Sequence, residues 1–131
     1  MSIVVGFVNT AEGTAALARA VEEARLRKTG LVVVHSIREN ESDEDTVAHQ
    51  EELDRVDHQL DDAGIPHSVH YFARGNSPSE DLIEVASEEG AEMIVIGLRR
   101  RSPVGKALLG SNAQSILLDA QCPVLAVKAS E

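Results

Sequence analysis

Residues 93–111 read MIVIGLRRRSPVGKALLGS. Met93 to Ile96 is a short continuous apolar run, which suits a strand covered on both faces, and Gly97 ends it where a backbone can turn or approach a ligand closely. At the far end Gly110 precedes Ser111, an N-cap residue type with Gln114 three positions on, a capping-box pattern. A helix opened there points its free N–H groups back toward the loop. Strand, glycine loop and helix N-terminus together form an arrangement that binds phosphate. Arg99, Arg100, Arg101 and Lys106 bring positive charge to the same place. A helix terminus alone contributes about 0.3–1 kcal/mol toward an anion, so several N–H donors and a guanidinium are needed for useful affinity. The lesser alternative for these arginines is pairing with surface carboxylates. The loop is not a Walker A sequence, because Gly105-Lys106 is followed by Ala107 and no glycine stands at the required earlier position.

Outward from this stretch, strand and helix patterns alternate. Ile3 to Val8 reads as the first, central strand. Asn9 caps a helix with Glu12 three positions later; Ala16, Leu17, Ala20, Val21 and Ala24 form its apolar face, and it should end near Gly30. Leu31 to His35 is a second buried strand. Arg38 to Asp45 has no apolar periodicity and reads as a mobile loop before a helix over Thr46 to Asp62, with Val47, Leu53, Val56 and Leu60 on its apolar side. Gly64 and Pro66 stop that helix. His67 to Ala73 is an outer strand. Ser77-Pro78-Ser79-Glu80 places an N-cap serine, proline at the first helical position and glutamate in the capping-box place. Leu82, Ile83 and Ala86 face the core, and Gly90 suits a left-handed cap. A helix from Ser111 to about Ala120 and a strand from Pro123 to Lys128 complete the chain. This alternation predicts an α/β fold: a single doubly wound, Rossmann-like, five-stranded parallel sheet in strand order 3-2-1-4-5, with helices on both faces. Ligands of such sheets bind beyond the strand ends where the winding reverses, which places Val8 to Thr10 beside Gly97 to Ser102.

At 131 residues and 43% hydrophobic content the chain is expected to be one domain, 1–131. Aromatics are only 2% and the net charge is −10, which together argue against binding nucleic acid. Cys122, the only cysteine, excludes an internal disulfide and fits a reducing cytoplasm. No apolar run is long enough for a membrane helix and no signal-peptide pattern opens the chain, so no membrane partner is expected and the location should be cytoplasmic. No metal site is expected: His49 and His58 are too far apart to form an adjacent-turn pair, and His67 and His70 fall on opposite strand faces. His35 reads as a structural histidine and the acids from Asp54 to Asp62 as a wet helix face. Ser102, Ser111 and Ser115 lack a nearby histidine or a nucleophile elbow, so no catalytic residue is assigned.

Gly97, position 100 and Gly110-Ser111 stand at the spacing G-x2-G-x9-G-S/T, the nucleotide motif of the universal stress protein family, with Arg100 in place of the second glycine. The opening IVVGFVNT, the stretch ARGNSPSEDLIEVASEEGAEMIVIG and the tail QCPVLAVK also resemble that family, so the likeness runs through the whole chain. The resemblance implies a stress-response protein that binds ATP or a related adenine nucleotide, with or without Mg2+, between the first and fourth strand ends. It implies a regulatory binding protein rather than an enzyme, weak ATPase activity being the lesser alternative. A dimeric interaction protein of this fold without a nucleotide is the other. Carried over, Gly97 with its neighbours Ile96 and Leu98 approaches the ribose, and Ser36 meets the adenine edge through its backbone. Gly110, Ser111 and Asn112 hold phosphates, with Arg99 and Arg100 nearby; Arg100 either blocks close backbone approach or adds a phosphate contact. Val8 stands where ATP-binding members carry an aspartate, leaving Asn9 or Thr10 to supply a polar contact. The terminal strand, Val124 to Lys128, would pair with its copy in a homodimer.

Overall fold

The computed structural model describes residues 2–37, 42–99 and 110–129. Along them run β1 (Ser2–Gly6), α1 (Ala11–Arg27), β2 (Gly30–Ser36), α2 (Asp43–Asp62), β3 (His67–Phe72), α3 (Pro78–Glu89), β4 (Met93–Leu98), α4 (Ser111–Asp119) and β5 (Val124–Lys128). The strands form one sheet in the order β3-β2-β1-β4-β5, every pairing parallel, as expected. The apolar runs are continuous because both faces are covered. Ile3, Val5, Leu31, Val33, Met93 and Val95 pack under α1 and α2, against Ala16, Leu17, Ala20, Leu53, Val56 and Leu60. Val4, Val32, Val34, Ile94 and Ile96 pack on the other side against Leu82, Val85 and Ala86 of α3 and Ile116 of α4. Each fully buried Val or Ile contributes roughly 1.5–3 kcal/mol, and the two layers are mainly aliphatic, with Phe7 in the first and Phe72 packed against the second.

Several boundaries differ from expectation, each for a local reason. β1 stops at Gly6, two residues before Val8: Phe7 still donates its N–H to the Val34 carbonyl at 2.9 Å, but Val8 is 42% exposed. α1 is capped by Thr10, not Asn9, with the Thr10 hydroxyl accepting from the Gly13 N–H at 3.1 Å. It ends at Arg27, where Lys28 takes the left-handed conformation, while Gly30 already opens β2. The expected loop ahead of the second helix is partly helix: Ser42 caps α2, and Asp43, Glu44 and Asp45 fill its first turn, where the helix dipole favours negative charge. Residues 38–41 lie outside the described residues. Val47 does not join the core and is 56% exposed. A helix of twenty residues spans about 30 Å and the six residues of β3 about 20 Å, so the first turns of α2 overhang the sheet margin. β4 runs on through Gly97 to Leu98, because β5 pairs with it to the Leu98–Lys128 position.

α3 starts as read, with the complete capping box of Ser77 and Glu80, Pro78 at its head and Gly90 as its left-handed cap. α4 does not. Its cap is Gly110, Ser111 is its first helical residue, and no side chain caps it.

Candidate functional site

The strand ladders part at the sheet's carboxyl rim. β1 and β4 are paired only as far as Val5 and Val95, after which β4 continues beside β5 alone. β1 and β2 part after Gly6 and Val34, after which Ser36 pairs only with Phe72 of β3. A crevice therefore opens above β1, where the winding direction reverses and ligands of such sheets bind.

Two glycines shape it. A Cβ on Gly13 would lie 1.8 Å from the Val8 carbonyl oxygen, so the turn from β1 into α1 closes only around glycine. A Cβ on Gly97 would lie 2.3 Å from the carbonyl oxygen of Glu12, so the end of β4 is pressed against the first turn of α1. Gly97 thus has a packing duty apart from any ligand. Gly13 carried no recognisable sequence signal; its need appears only once the Val8–Thr10 turn, closed by a Thr10 N–H to Val8 carbonyl bond of 2.8 Å, is seen.

Of the polar residues expected here, Thr10 spends its hydroxyl lone pair on the α1 cap, and Asn9 is exposed beside it. Val8 presents an apolar side chain. Ser36 is buried and donates its hydroxyl to Asp81 at 2.5 Å, which fixes the end of β2 to α3. Asp81 has 0% exposure and also accepts from Arg74 Nε at 2.9 Å and Asn76 Nδ2 at 3.1 Å. Burial alone would raise its pKa; the hydrogen bonds from Ser36, Asn76 and Arg74 outweigh it and hold the carboxyl below its ordinary value. The Arg74 guanidinium also lies over the Phe72 ring, 4.2 Å from its centroid. His35 is the structural histidine expected, its Nδ1 2.9 Å from the Phe7 carbonyl oxygen.

Across the crevice, Gly110, Ser111 and Asn112 are exposed at the head of α4. The Asn112 side-chain oxygen turns to α3 and accepts the Ser79 N–H at 3.3 Å. The N–H groups of Ser111, Asn112 and Ala113 meet no acceptor among the described residues. Among the described residues, a Cβ at Gly110 would touch nothing within 4 Å. On the β4 side Ile96 is buried in the core layer with Leu98 packed against it, Gly97 lies against α1, and Arg99 is exposed beyond them. Arg100, Arg101, Ser102, Gly105 and Lys106 lie outside the described residues. Two surface clefts of about 420 and 440 Å3 open elsewhere, one by Lys28 and Pro66, the other between Gln50 and Tyr71. Neither is lined by residues of the β1 or β4 ends.

The model of the universal stress protein family matches residues 1–128. The chain belongs to the universal stress protein family. It is 40% identical over 126 residues to a universal stress protein of Mycolicibacterium smegmatis, covering 96% of each chain. Among solved structures, a universal stress protein from Archaeoglobus fulgidus superposes with a TM-score of 0.83 at 38% identity, covering 98% of each chain. A second structure from that organism, a universal stress protein in complex with dAMP, gives a TM-score of 0.76 at 33% identity, again with 98% of each chain covered. No described helix is long and apolar enough to cross a membrane.

Proposed function

We propose that this universal stress protein binds an adenine nucleotide, ATP or a close relative, in the crevice above β1 and acts as a regulatory binding protein of the stress response rather than as an enzyme. The observation that carries this is the head of α4: its first-turn N–H groups have no side-chain cap, and the helix begins at the carboxyl rim where β1 and β4 part. The dAMP complex of the 33% identical Archaeoglobus protein supports an adenine ligand. In this reading the ribose lies by Ile96, Gly97 and Leu98, the adenine edge meets the Ser36 backbone, and the phosphates rest on Gly110, Ser111 and Asn112 with Arg99 and Arg100 nearby. Asn9 supplies the polar contact on the β1 side, since Thr10 is engaged in its cap and Val8 has none to offer. Asp81 is fully buried and held by three donors, so an Mg2+ ion accompanying ATP would be carried by the phosphates and water. The whole chain, 1–131, acts as one domain in the cytoplasm, as a homodimer formed by β5, which lies at the sheet margin. Neither nucleic acid nor a membrane is a partner.

The exposed Val8 favours a second reading, a dimeric interaction protein of the same fold without a nucleotide. Mass spectrometry of small molecules released from the heat-denatured protein, followed by calorimetry with ATP, ADP and AMP, separates the two. Retained or saturably bound adenine nucleotide supports the first reading; no binding at millimolar concentration removes it. Sedimentation velocity tests the dimer.

A further inference from the structure

At the opposite end of the sheet from the crevice, the first residue of β3 meets the last turns of α2. His67 has a side chain only 7% exposed, with Nδ1 2.7 Å from the Ile65 carbonyl oxygen. A carbonyl only accepts, so Nδ1 carries the proton and Nε2 is aimed the other way. There it meets Asp57 Oδ1 at 2.7 Å and Asp61 Oδ1 at 3.6 Å. Asp57 and Asp61 are one helical turn apart on the same face of α2, and the three donor atoms lie within 4.8 Å of one another.

We propose that Asp57, Asp61 and His67 bind a divalent first-row transition ion of the Zn2+ type. Three features of the cluster support it beyond the presence of two acids. The imidazole is buried and its orientation is fixed from outside the cluster by a backbone carbonyl, the outer contact that sets the tautomer of metal-ligating histidines. The site supplies one nitrogen and two carboxylate oxygens, with Asp57 and Asp61 half-exposed at 51% and 63%, so water can complete the coordination. Ligand bonds of about 2.0–2.2 Å place tetrahedral donors roughly 3.4 Å apart; Asp61 at 3.6 Å from Nε2 is already near that spacing, and Asp57 at 2.7 Å must open outward, which its half-exposed side chain allows. In the metal-free chain the 2.7 Å contact of Nε2 with Asp57 is a hydrogen bond, so an ion bound here takes the place of the proton on Nε2. A nitrogen ligand favours such an ion over Mg2+ or Ca2+, which prefer all-oxygen sites. The bound ion would pin α2 to the margin strand β3, far from the nucleotide crevice. Histidine pairs gave no sign of it in the sequence; the spacing D-x3-D-x5-H becomes a site only when the chain reverses at Gly64 and Pro66.

The full chain, stripped with EDTA and dialysed, should bind ZnCl2 with one-to-one stoichiometry in calorimetry at neutral pH and melt at a higher temperature with the ion than without. Co2+ should give visible absorption bands. His67→Gln should abolish binding. Asp61→Asn should weaken it at least tenfold while leaving the metal-free melting temperature near that of the parent, because Asp61 is exposed and distant from the ring; it carries the test if His67→Gln does not fold. Absence of saturable binding in the parent chain, undiminished binding in Asp61→Asn, or equal stabilisation by MgCl2 would overturn the assignment.

Discussion

Two helices begin at the same rim of the sheet and treat their N-termini in opposite ways. At the head of α3, Pro78 has no N–H, Ser79 gives its N–H to Asn112 Oδ1, and Glu80 gives its N–H to the Ser77 hydroxyl at 3.3 Å. The Glu80 carboxylate returns a bond to the Ser77 N–H at 2.8 Å, and Ser77, Ser79 and Asp81 are all buried. Every orphan donor is accounted for. At the head of α4 the cap is a glycine, the first three residues are exposed or half-buried, and their N–H groups have no described acceptor. The Asn112 side-chain oxygen is turned to α3. A protein that can close a helix end this completely has left the other one open over the crevice, which is where an anion is stabilised by the helix dipole.

The contrast can be broken first on the closed side. Asp81→Ala removes the shared acceptor of Ser36, Arg74 and Asn76, and urea unfolding should show a loss of roughly 2 kcal/mol or more, from stranded donors plus a cavity. On the open side, Gly110→Val meets no atom of the described residues, so the unfolding midpoint should move little while the affinity for adenine nucleotide in calorimetry falls at least tenfold, about 1.4 kcal/mol. Unchanged affinity would place the ligand elsewhere. Ser77→Ala, which dismantles the capping box of α3, should cost about 1 kcal/mol in the same unfolding assay. Ser111→Ala should cost less than about 0.5 kcal/mol, because this serine caps nothing. Acid offers a further test. A carboxyl whose folded pKa is depressed lends stability that is fully present above its unfolded value and is lost as the pH falls through the folded one. Stability should therefore fall below about pH 4, and Asp81→Asn should flatten that part of the profile.

The difference between the two helices also explains what was readable in the sequence. The start of α3 is written in side chains, Ser77, Pro78 and Glu80, and the structure uses each as expected. The start of α4 is held by backbone alone, so Ser111 and Gln114 imitate a capping box that Gly110 pre-empts. The parallel sheet and its two covered faces followed from strands alternating with helices and from uninterrupted apolar runs, which suit strands buried on both sides. The Thr10 cap escaped because Asn9 is as good a cap by residue type, and the choice was made by the tight packing of Gly13 on Val8. Val47 was misplaced because periodicity shows a helix's apolar stripe but not where the sheet beneath it ends.

The position of β1 has a bearing on biosynthesis. The strand made first is the innermost one, and its second flank is filled only when Met93 aligns with Ile3. While the ribosome is still short of β4, the nascent chain carries a greasy, half-paired ribbon of Ile3, Val4 and Val5. That interval is when a chaperone would have most to do, and a message truncated before β4 would yield a product prone to clump rather than a smaller working fold.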